Sequence, residues 1–123
     1  MSTIRVDNFG PSAGGTTYSA RGIAKAWVNF DGTGAIAARD SENVSSLTDN
    51  GTGDYTVNFS NAFGAADYIA ISHGGGNNDT LSVPIKEGTT PTTTAFRPAF
   101  FNTALTLGVD PTYVFSAIHG DLA

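Results

Sequence analysis

The sequence has no cysteine and few charged residues. Without a cysteine among its 123 residues, the chain has no disulfide framework, no thiol nucleophile and no thiolate ligand for a metal. Charged side chains make up only 14% of the sequence, and the formal net charge is -5. This balance argues against a basic surface that neutralises phosphates, so we expect no nucleic-acid partner. Thr, Ser, Asn and Gly must cover most of the surface.

Long hydrophobic runs are also absent. No apolar stretch approaches the roughly 20 residues that span a bilayer, so we expect no membrane insertion. Residues 1–7 lack the apolar region of a signal peptide, which predicts synthesis in a cytoplasm. Hydrophobic residues still make up 40% of the chain, enough for one domain of this length to bury a core.

Apolar residues that alternate beside glycine-rich turns predict an all-β fold. In a predicted strand over residues 24–30, Ala26, Val28 and Phe30 share one face, whereas Trp27 lies on the other. Residues 55–59 repeat this alternation after a glycine-rich turn. About eight such short strands predict an antiparallel β-sandwich or a jelly roll.

Composition also predicts which strands lie in the middle of a sheet. Residues 68–72 are continuously apolar, so we expect a central strand that is covered on both faces. Residues 112–118 are expected to be central as well. Pro84 predicts an edge position for residues 81–85, and Pro98 predicts an edge or a bulge.

The beginning of the chain differs from the rest. Residues 1–22 are predicted to form a short N-terminal attachment arm, and residues 23–123 a β-sandwich domain. Ile4 and Val6 flank Arg5 in one short predicted strand, which a glycine-rich joint follows. Two interpretations stay open, an arm that packs on a neighbouring chain and a frayed terminus.

No group of residues predicts catalysis or metal binding. His73 and His119 have no metal-ligand spacing to each other or to a carboxylate. There is no Gly-x-Ser-x-Gly elbow, and no scattered carboxylate pair stands out as a glycosidase pair. The turn over residues 49–54 faintly resembles a calcium loop but lacks the twelfth-position Glu, and an Asn-Gly hairpin explains it without a metal. We therefore expect a non-enzymatic protein with no cofactor.

An outward Trp27 is the first candidate for binding. It has three interpretations: it covers a second layer of its own domain, it is buried between protomers, or it stacks on a sugar. Lys25 and Asn29 share its strand face. Together with Ile4 and Val6 of the arm, these residues form a predicted oligomer or ligand interface.

A glycine-rich stretch is the second candidate. Residues 74–76 predict a mobile loop with His73 at its base, and loops at the tips of sandwiches often carry binding surfaces. We expect the loops over residues 73–80 and 86–95 to be presented to a receptor. The candidate receptor-contacting residues are His73, Asn77, Asn78 and Asp79.

Three segments resemble a β-module of tail fibres and other virion proteins from phages of marine and aquatic bacteria. They are AKAWVNFDGTG at residues 24–34, NVSSLTDNGTGDYTVNF at residues 43–59, and the closing strand before residues 119–121. The resemblance implies a structural protein of the virion, assembled in the host cytoplasm, in which homotrimers are usual. Its implied partners are further copies of the chain, other tail, baseplate or capsid proteins, and a host surface glycan.

The short connection between the arm and the module leaves the place on the virion open. One hypothesis is a tail-fibre or fibre-tip module for receptor binding in host attachment. The alternative is a capsid decoration or cement protein that clamps neighbouring subunits. A depolymerase is a third hypothesis, for which the residues offer no nucleophile motif.

Overall fold

The computed structural model describes residues 2–76 and 79–123. This part of the chain is built of short strands, with one 3-10 turn at Ala20–Gly22 and no helix that is long and apolar enough to cross a membrane. In chain order the strands are β1 (Asn8–Phe9), β2 (Tyr18–Ser19), β3 (Ala26–Asp31), β4 (Ala37–Glu42), β5 (Val44–Gly51), β6 (Asp54–Phe59), β7 (Ile69–Gly75), β8 (Thr80–Val83), β9 (Ala95–Phe96), β10 (Ala99–Asn102) and β11 (Tyr113–His119).

Two antiparallel sheets pack face to face, which confirms the predicted all-β sandwich. The first sheet has four strands in the order β4-β3-β11-β7. The second has five strands in the order β5-β6-β10-β8, with β9 also paired to β6. Strands β1 and β2 form a separate two-stranded hairpin in the N-terminal segment.

The core lies between the two sheets and follows the period of two residues that strands impose. Phe30 of the first sheet meets Tyr55 of the second edge to face, with 5.2 Å between the ring centroids. The alternation predicted for β3 and β6 is therefore confirmed. The buried core cluster consists of Ala26, Val28, Phe30, Tyr55, Val57, Phe59, Phe63, Phe96, Phe100, Val114 and Ile118.

The hydroxyl of Tyr55 closes one end of this core. Its oxygen lies 2.6 Å from the Asp110 carboxylate and 2.9 Å from the Gly32 carbonyl oxygen. A hydroxyl has one proton, so these two acceptors share it. Burial, followed by the hydrogen bond to Asp110, raises the pKa of Tyr55, and the group stays a donor. A Cβ on Gly32 would lie 2.6 Å from the hydroxyl oxygen, which explains the glycine.

The positions of the strands in the sheets differ partly from expectation. Strand β11 is central as predicted, and β8 is an edge strand as predicted. The prediction that residues 68–72 form a central, doubly covered strand is wrong, because β7 is an edge strand whose Ile69 and Ile71 are exposed. Pro98 stands between β9 and β10 and interrupts their pairing with β6.

The N-terminal segment takes no part in the core. Residues 2–19 are exposed throughout. The segment is anchored where it joins the domain, because the Lys25 ammonium donates hydrogen bonds to the carbonyl oxygens of Ala20 at 2.6 Å and Ile23 at 3.1 Å. At the same junction, Nδ1 of His119 lies 3.0 Å from the carbonyl oxygen of Gly22.

Candidate functional site

The outer face of the first sheet carries large apolar side chains, although the inner face of the same strands already builds the core. Alternation along β11 buries Val114, Ser116 and Ile118 and turns Tyr113 and Phe115 outward. We call this outer surface the apolar face. It is defined by Trp27 (36% exposed), Ile69 (63%), Ile71 (59%), Tyr113 (45%) and Phe115 (47%).

Strand register makes the apolar face continuous. Ala117 of β11 pairs with Trp27 on one side and with Ile71 on the other. One step along the sheet, Phe115 lies between Asn29 and His73. Side chains that oppose each other on neighbouring strands lie about 5 Å apart at Cβ. These residues therefore form one patch across three strands.

An arginine closes the patch at one end. The Arg39 guanidinium lies 4.4 Å from the centroid of the Tyr113 ring, in cation–π geometry. It donates hydrogen bonds to the Asp31 carboxylate at 3.0 Å and to the carbonyl oxygen of Thr112 at 2.7 Å. Hydrogen bonds from Thr33, and then the charge of Arg39, hold the pKa of Asp31 below its usual value. The charge of Arg39 is thus partly neutralised at this rim of the apolar face.

The predicted interface residues separate into two groups. Trp27 and Asn29 lie on the apolar face, and Trp27 remains 36% exposed, so the described part of the chain covers it only in part. Lys25 lies at the root of the arm, where its ammonium binds the carbonyls described above. Ile4 and Val6 are 87% and 56% exposed in the arm, so they do not cover Trp27 of the same chain.

The predicted receptor loop begins later than expected. His73 lies within β7, opposite Phe115, and strand pairing continues through Gly75. Gly74 is a close-packing residue, because a Cβ there would lie 2.7 Å from Cγ of Pro111. Of the remaining candidates, Asp79 is exposed immediately before β8, and Asn77 and Asn78 lie outside the described residues.

The two loops predicted to meet a receptor together leave β8 at opposite ends. The loop around Asp79 precedes Thr80, and the segment over residues 84–94 follows Val83. The four residues of β8 separate the origins of the two loops by about 13 Å. They therefore do not begin at a common tip.

No catalytic arrangement appears in the described part of the chain. His73 and His119 lie in register with Phe115 and Ile69, which places them about 13 Å apart along β7 and β11. The hydroxyls of Ser72 and Ser116 are buried and hydrogen-bond each other at 2.8 Å. Residues 2–76 and 79–123 also contain no cluster of three or more His, Asp or Glu side chains that could hold a metal.

Sequence analysis missed most of the apolar face. Tyr113, Phe115, Ile69 and Ile71 belong to strands that are apolar on both faces, and such strands are commonly covered on both sides. The available signal was that a sandwich of two sheets has only one interior, which the inner faces of these strands already occupy. Outward aromatic residues on a central strand then indicate a surface for a partner.

Comparison with known proteins adds no assignment. No family model matches the chain, and neither a curated protein nor a solved structure matches it.

Proposed function

We propose that this protein is a non-enzymatic structural protein of a virion, a tail-fibre or fibre-tip module that works as a homo-oligomer in host attachment. The observation that carries the proposal is the apolar face. Monomeric soluble proteins rarely expose a contiguous apolar patch of more than a few hundred Å², and such patches mark interaction sites. The resemblance of residues 24–34 and 43–59 to phage fibre modules supports the virion setting.

The form of the apolar face supports assembly more than ligand capture. It is a sheet surface of aromatic and aliphatic side chains, with the charge of Arg39 paired at its rim. Depletion of charge with enrichment of aromatic residues is typical of the centre of a protein–protein interface. The face therefore suits contact between copies of the chain, with a homotrimer as the oligomer that the resemblance implies.

The segment over residues 84–94 supplies the surface for a host glycan. It contains exposed threonines at 90 and 94, whereas Asp79 lies exposed at the other end of β8 and can form only a separate contact. Threonine hydroxyls donate and accept hydrogen bonds, and carboxylates accept them, so both can bind the hydroxyl groups of an uncharged sugar. A single shallow site of this kind is weak, and several copies on one particle increase the avidity by 10²–10⁴.

Adsorption assays test this function. Purified protein is applied to glycan arrays and to a panel of aquatic bacteria, and bound protein is measured by fluorescence. We expect binding that falls at least tenfold in Thr90→Ala combined with Thr94→Ala, whereas Thr48→Ala on the second sheet leaves it unchanged. An absence of binding to every glycan and every cell would exclude the adhesion function.

The aliphatic part of the apolar face favours one second candidate, a capsid decoration or cement protein. Ile69 and Ile71 give the patch an aliphatic half, which packs well against another protein and offers a sugar no hydrogen bond. Cryo-electron microscopy of the particle separates the two candidates. Density at the tail tip supports the attachment module, and density on the head supports the decoration protein.

A further inference from the structure

The N-terminal arm is the second unpartnered apolar surface of the chain. The described part of the arm, residues 2–22, and Ile23 directly after it carry five exposed large apolar side chains. They are Ile4 (87% exposed), Val6 (56%), Phe9 (48%), Tyr18 (61%) and Ile23 (52%). Phe9 and Tyr18 pair across the hairpin of β1 and β2, with 6.0 Å between their ring centroids.

The arm has little within its own chain to hold it in place. Its hairpin has two residue pairs, Asn8 with Ser19 and Phe9 with Tyr18. A two-stranded hairpin is at best marginally stable in water without a further layer to pack on. Ordering each residue also carries an entropic cost that burial must offset. The arm therefore requires an apolar surface beyond those that its own chain provides.

The arm and the apolar face meet at one place. The backbone of Lys25 donates a hydrogen bond to Ile118 of β11, and His119 contacts the carbonyl oxygen of Gly22. Across the sheet, His119 pairs with Ile69, which begins the apolar face. The root of the arm is therefore fixed to β11, the central strand of the sheet that carries the apolar face.

We propose that the arm of one copy lies on the apolar face of a second copy of this chain. This inference rests on the homo-oligomeric part of the proposed function. Arm and face occur once each per chain, so in a closed oligomer every face receives one arm and none stays uncovered. No other protein is needed to complete the surface.

The area of the two surfaces agrees with this arrangement. A large side chain that is half exposed has roughly 100 Å² still accessible, since complete burial of an aromatic side chain removes 150–250 Å². Five such side chains on the arm and five on the face give one arm–face contact roughly 1,000 Å² of buried surface in total, about 500 Å² from each partner. This total reaches the value of about 1,000 Å² at which a biological interface begins.

Charge also favours a particular direction for the arm. Arg5 stands between Ile4 and Val6 and is exposed, so it brings a positive charge with the two apolar side chains. Asp40 and Glu42 border the apolar face on β4, in register with Asn29 and Trp27. An arm that crosses the face towards β4 places Arg5 beside these two carboxylates.

Thiol cross-linking between two singly substituted chains tests the contact, because the native sequence contains no cysteine. Val6→Cys marks the arm, and His73→Cys marks the apolar face beside Phe115 without removing a large apolar side chain. The two full-length variants are mixed, allowed to exchange subunits and treated with a bismaleimide that spans about 10 Å. Only contact between different chains can join an arm thiol to a face thiol.

The matched control pairs Val6→Cys with Thr48→Cys, which lies exposed on the second sheet. We expect the arm–face product in at least tenfold excess over this control, with a yield that does not fall on moderate dilution. Equal yields from both pairs would overturn the proposal. So would products that join arm to arm alone, or a chain that remains monomeric by light scattering.

A second measurement does not depend on the cross-linking geometry. Ile71→Lys places a charge in the apolar face at a 59% exposed position, and Leu81→Lys places it at a 39% exposed position on the second sheet. We expect Ile71→Lys to weaken self-association at least tenfold and Leu81→Lys to leave it unchanged. Equal association of both variants contradicts the arm–face contact.

The outcome is separable from that of the proposed function. Cross-linking and light scattering report assembly of the purified chain, whereas glycan binding and cell adsorption report attachment. Assembly through arm and face with no adsorption excludes the attachment function alone. Adsorption by a protein whose arm and face do not cross-link excludes the arm–face contact alone.

Discussion

The outer surface formed by β3, β11 and β7 and the outer surface formed by β5 and β6 have opposite chemistry, although both cover the same core. The former exposes Trp27, Phe115 and Ile71. The latter exposes polar side chains that satisfy one another: Nδ2 of Asn58 donates to the hydroxyls of Ser46 and Thr48, each at 3.2 Å. The outer surface of β5 and β6 therefore has the polar character expected of a surface that faces water. The apolar face of the first sheet does not have this character.

The stability of the fold depends on the buried core and only weakly on the side chains of these two outer surfaces. Both sheets contribute to one buried cluster, in which Phe30 and Tyr55 are completely buried. Exterior side chains of either kind contribute much less, because water already contacts a large part of them. Substitutions in the core should unfold the protein and so remove both outer surfaces. Substitutions on one outer surface should change that surface alone.

The largest effect is expected at Phe30. Phe30→Ala removes the ring that joins the two sheets and leaves a cavity, which should lower the free energy of unfolding by about 3–5 kcal/mol. In an unassociated sample at low concentration, Phe115→Ala on the same sheet should lower it by only about 1 kcal/mol, because Phe115 is 47% exposed. Urea denaturation followed by tryptophan fluorescence measures both. Similar losses for the two variants would contradict the separation of core and apolar face.

An intermediate effect is expected at Asp54, at the edge of the second sheet's hairpin. Its carboxylate accepts two hydrogen bonds from Arg97, at 2.7 and 2.8 Å. The Arg97 hydrogen bond is the main reason that the pKa of Asp54 is lowered from 3.8, opposed by partial burial. Asp54→Asn should lower the free energy of unfolding by about 1 kcal/mol at pH 7, near the upper end for a solvent-accessible pair.

The pH dependence of this pair has a definite sign. The folded-state pKa of Asp54 lies below its unfolded-state value, so the pair stabilises the fold fully above pH 3.8 and loses this contribution as the pH falls through the folded-state pKa. Wild type and Asp54→Asn should therefore converge in strongly acidic solution. Urea titrations between pH 7 and pH 2 follow the difference, and a constant difference over this range would refute the assignment.

Smaller effects should appear on the outer surfaces of the two sheets, first at Asn58. Asn58→Ala removes the hydrogen bonds to Ser46 and Thr48, and each exposed bond contributes about 0.5 kcal/mol because water replaces it. The expected loss in the free energy of unfolding is about 0.5–1 kcal/mol.

The smallest effect is expected at Ile71. Ile71→Ser, compared with wild type in an unassociated sample at low concentration, should change the free energy of unfolding by less than about 0.5 kcal/mol. A larger loss for Ile71→Ser would show that the apolar face supports its own fold.

Alternation of apolar and polar residues predicts the sandwich correctly where one face of a strand is buried and the other is exposed. Residues 55–59 show this, because Tyr55, Val57 and Phe59 are buried and Thr56 and Asn58 are partly exposed. The same rule was wrong for residues 68–72. Ile69 and Ile71 are apolar and exposed, and a single sequence cannot distinguish apolar residues covered by their own chain from those that face another chain.

The glycine-rich stretch shows a second limit. Consecutive glycines predict a mobile loop, whereas Gly74 continues β7 and packs closely against Phe100 and Pro111. Glycine serves both flexibility and close packing, and only the neighbours in space decide between them. Trp27 was identified as an outward residue, but its companions Phe115 and Ile71 come from distant parts of the chain. Their convergence depends on the strand order, which alternation does not specify.

The central position of β11 has a consequence for biosynthesis. In the first sheet β3 and β7 do not touch as strands, and both pair with β11, which is made long after them. Pairings between such distant segments form slowly, because a long loop must close before any contact rewards it. While residues 113–119 are still inside the ribosome, the first sheet is incomplete and Phe115 is missing from the apolar face. Neighbouring nascent chains on one messenger RNA therefore cannot associate through the complete apolar face before β11 has left the ribosome.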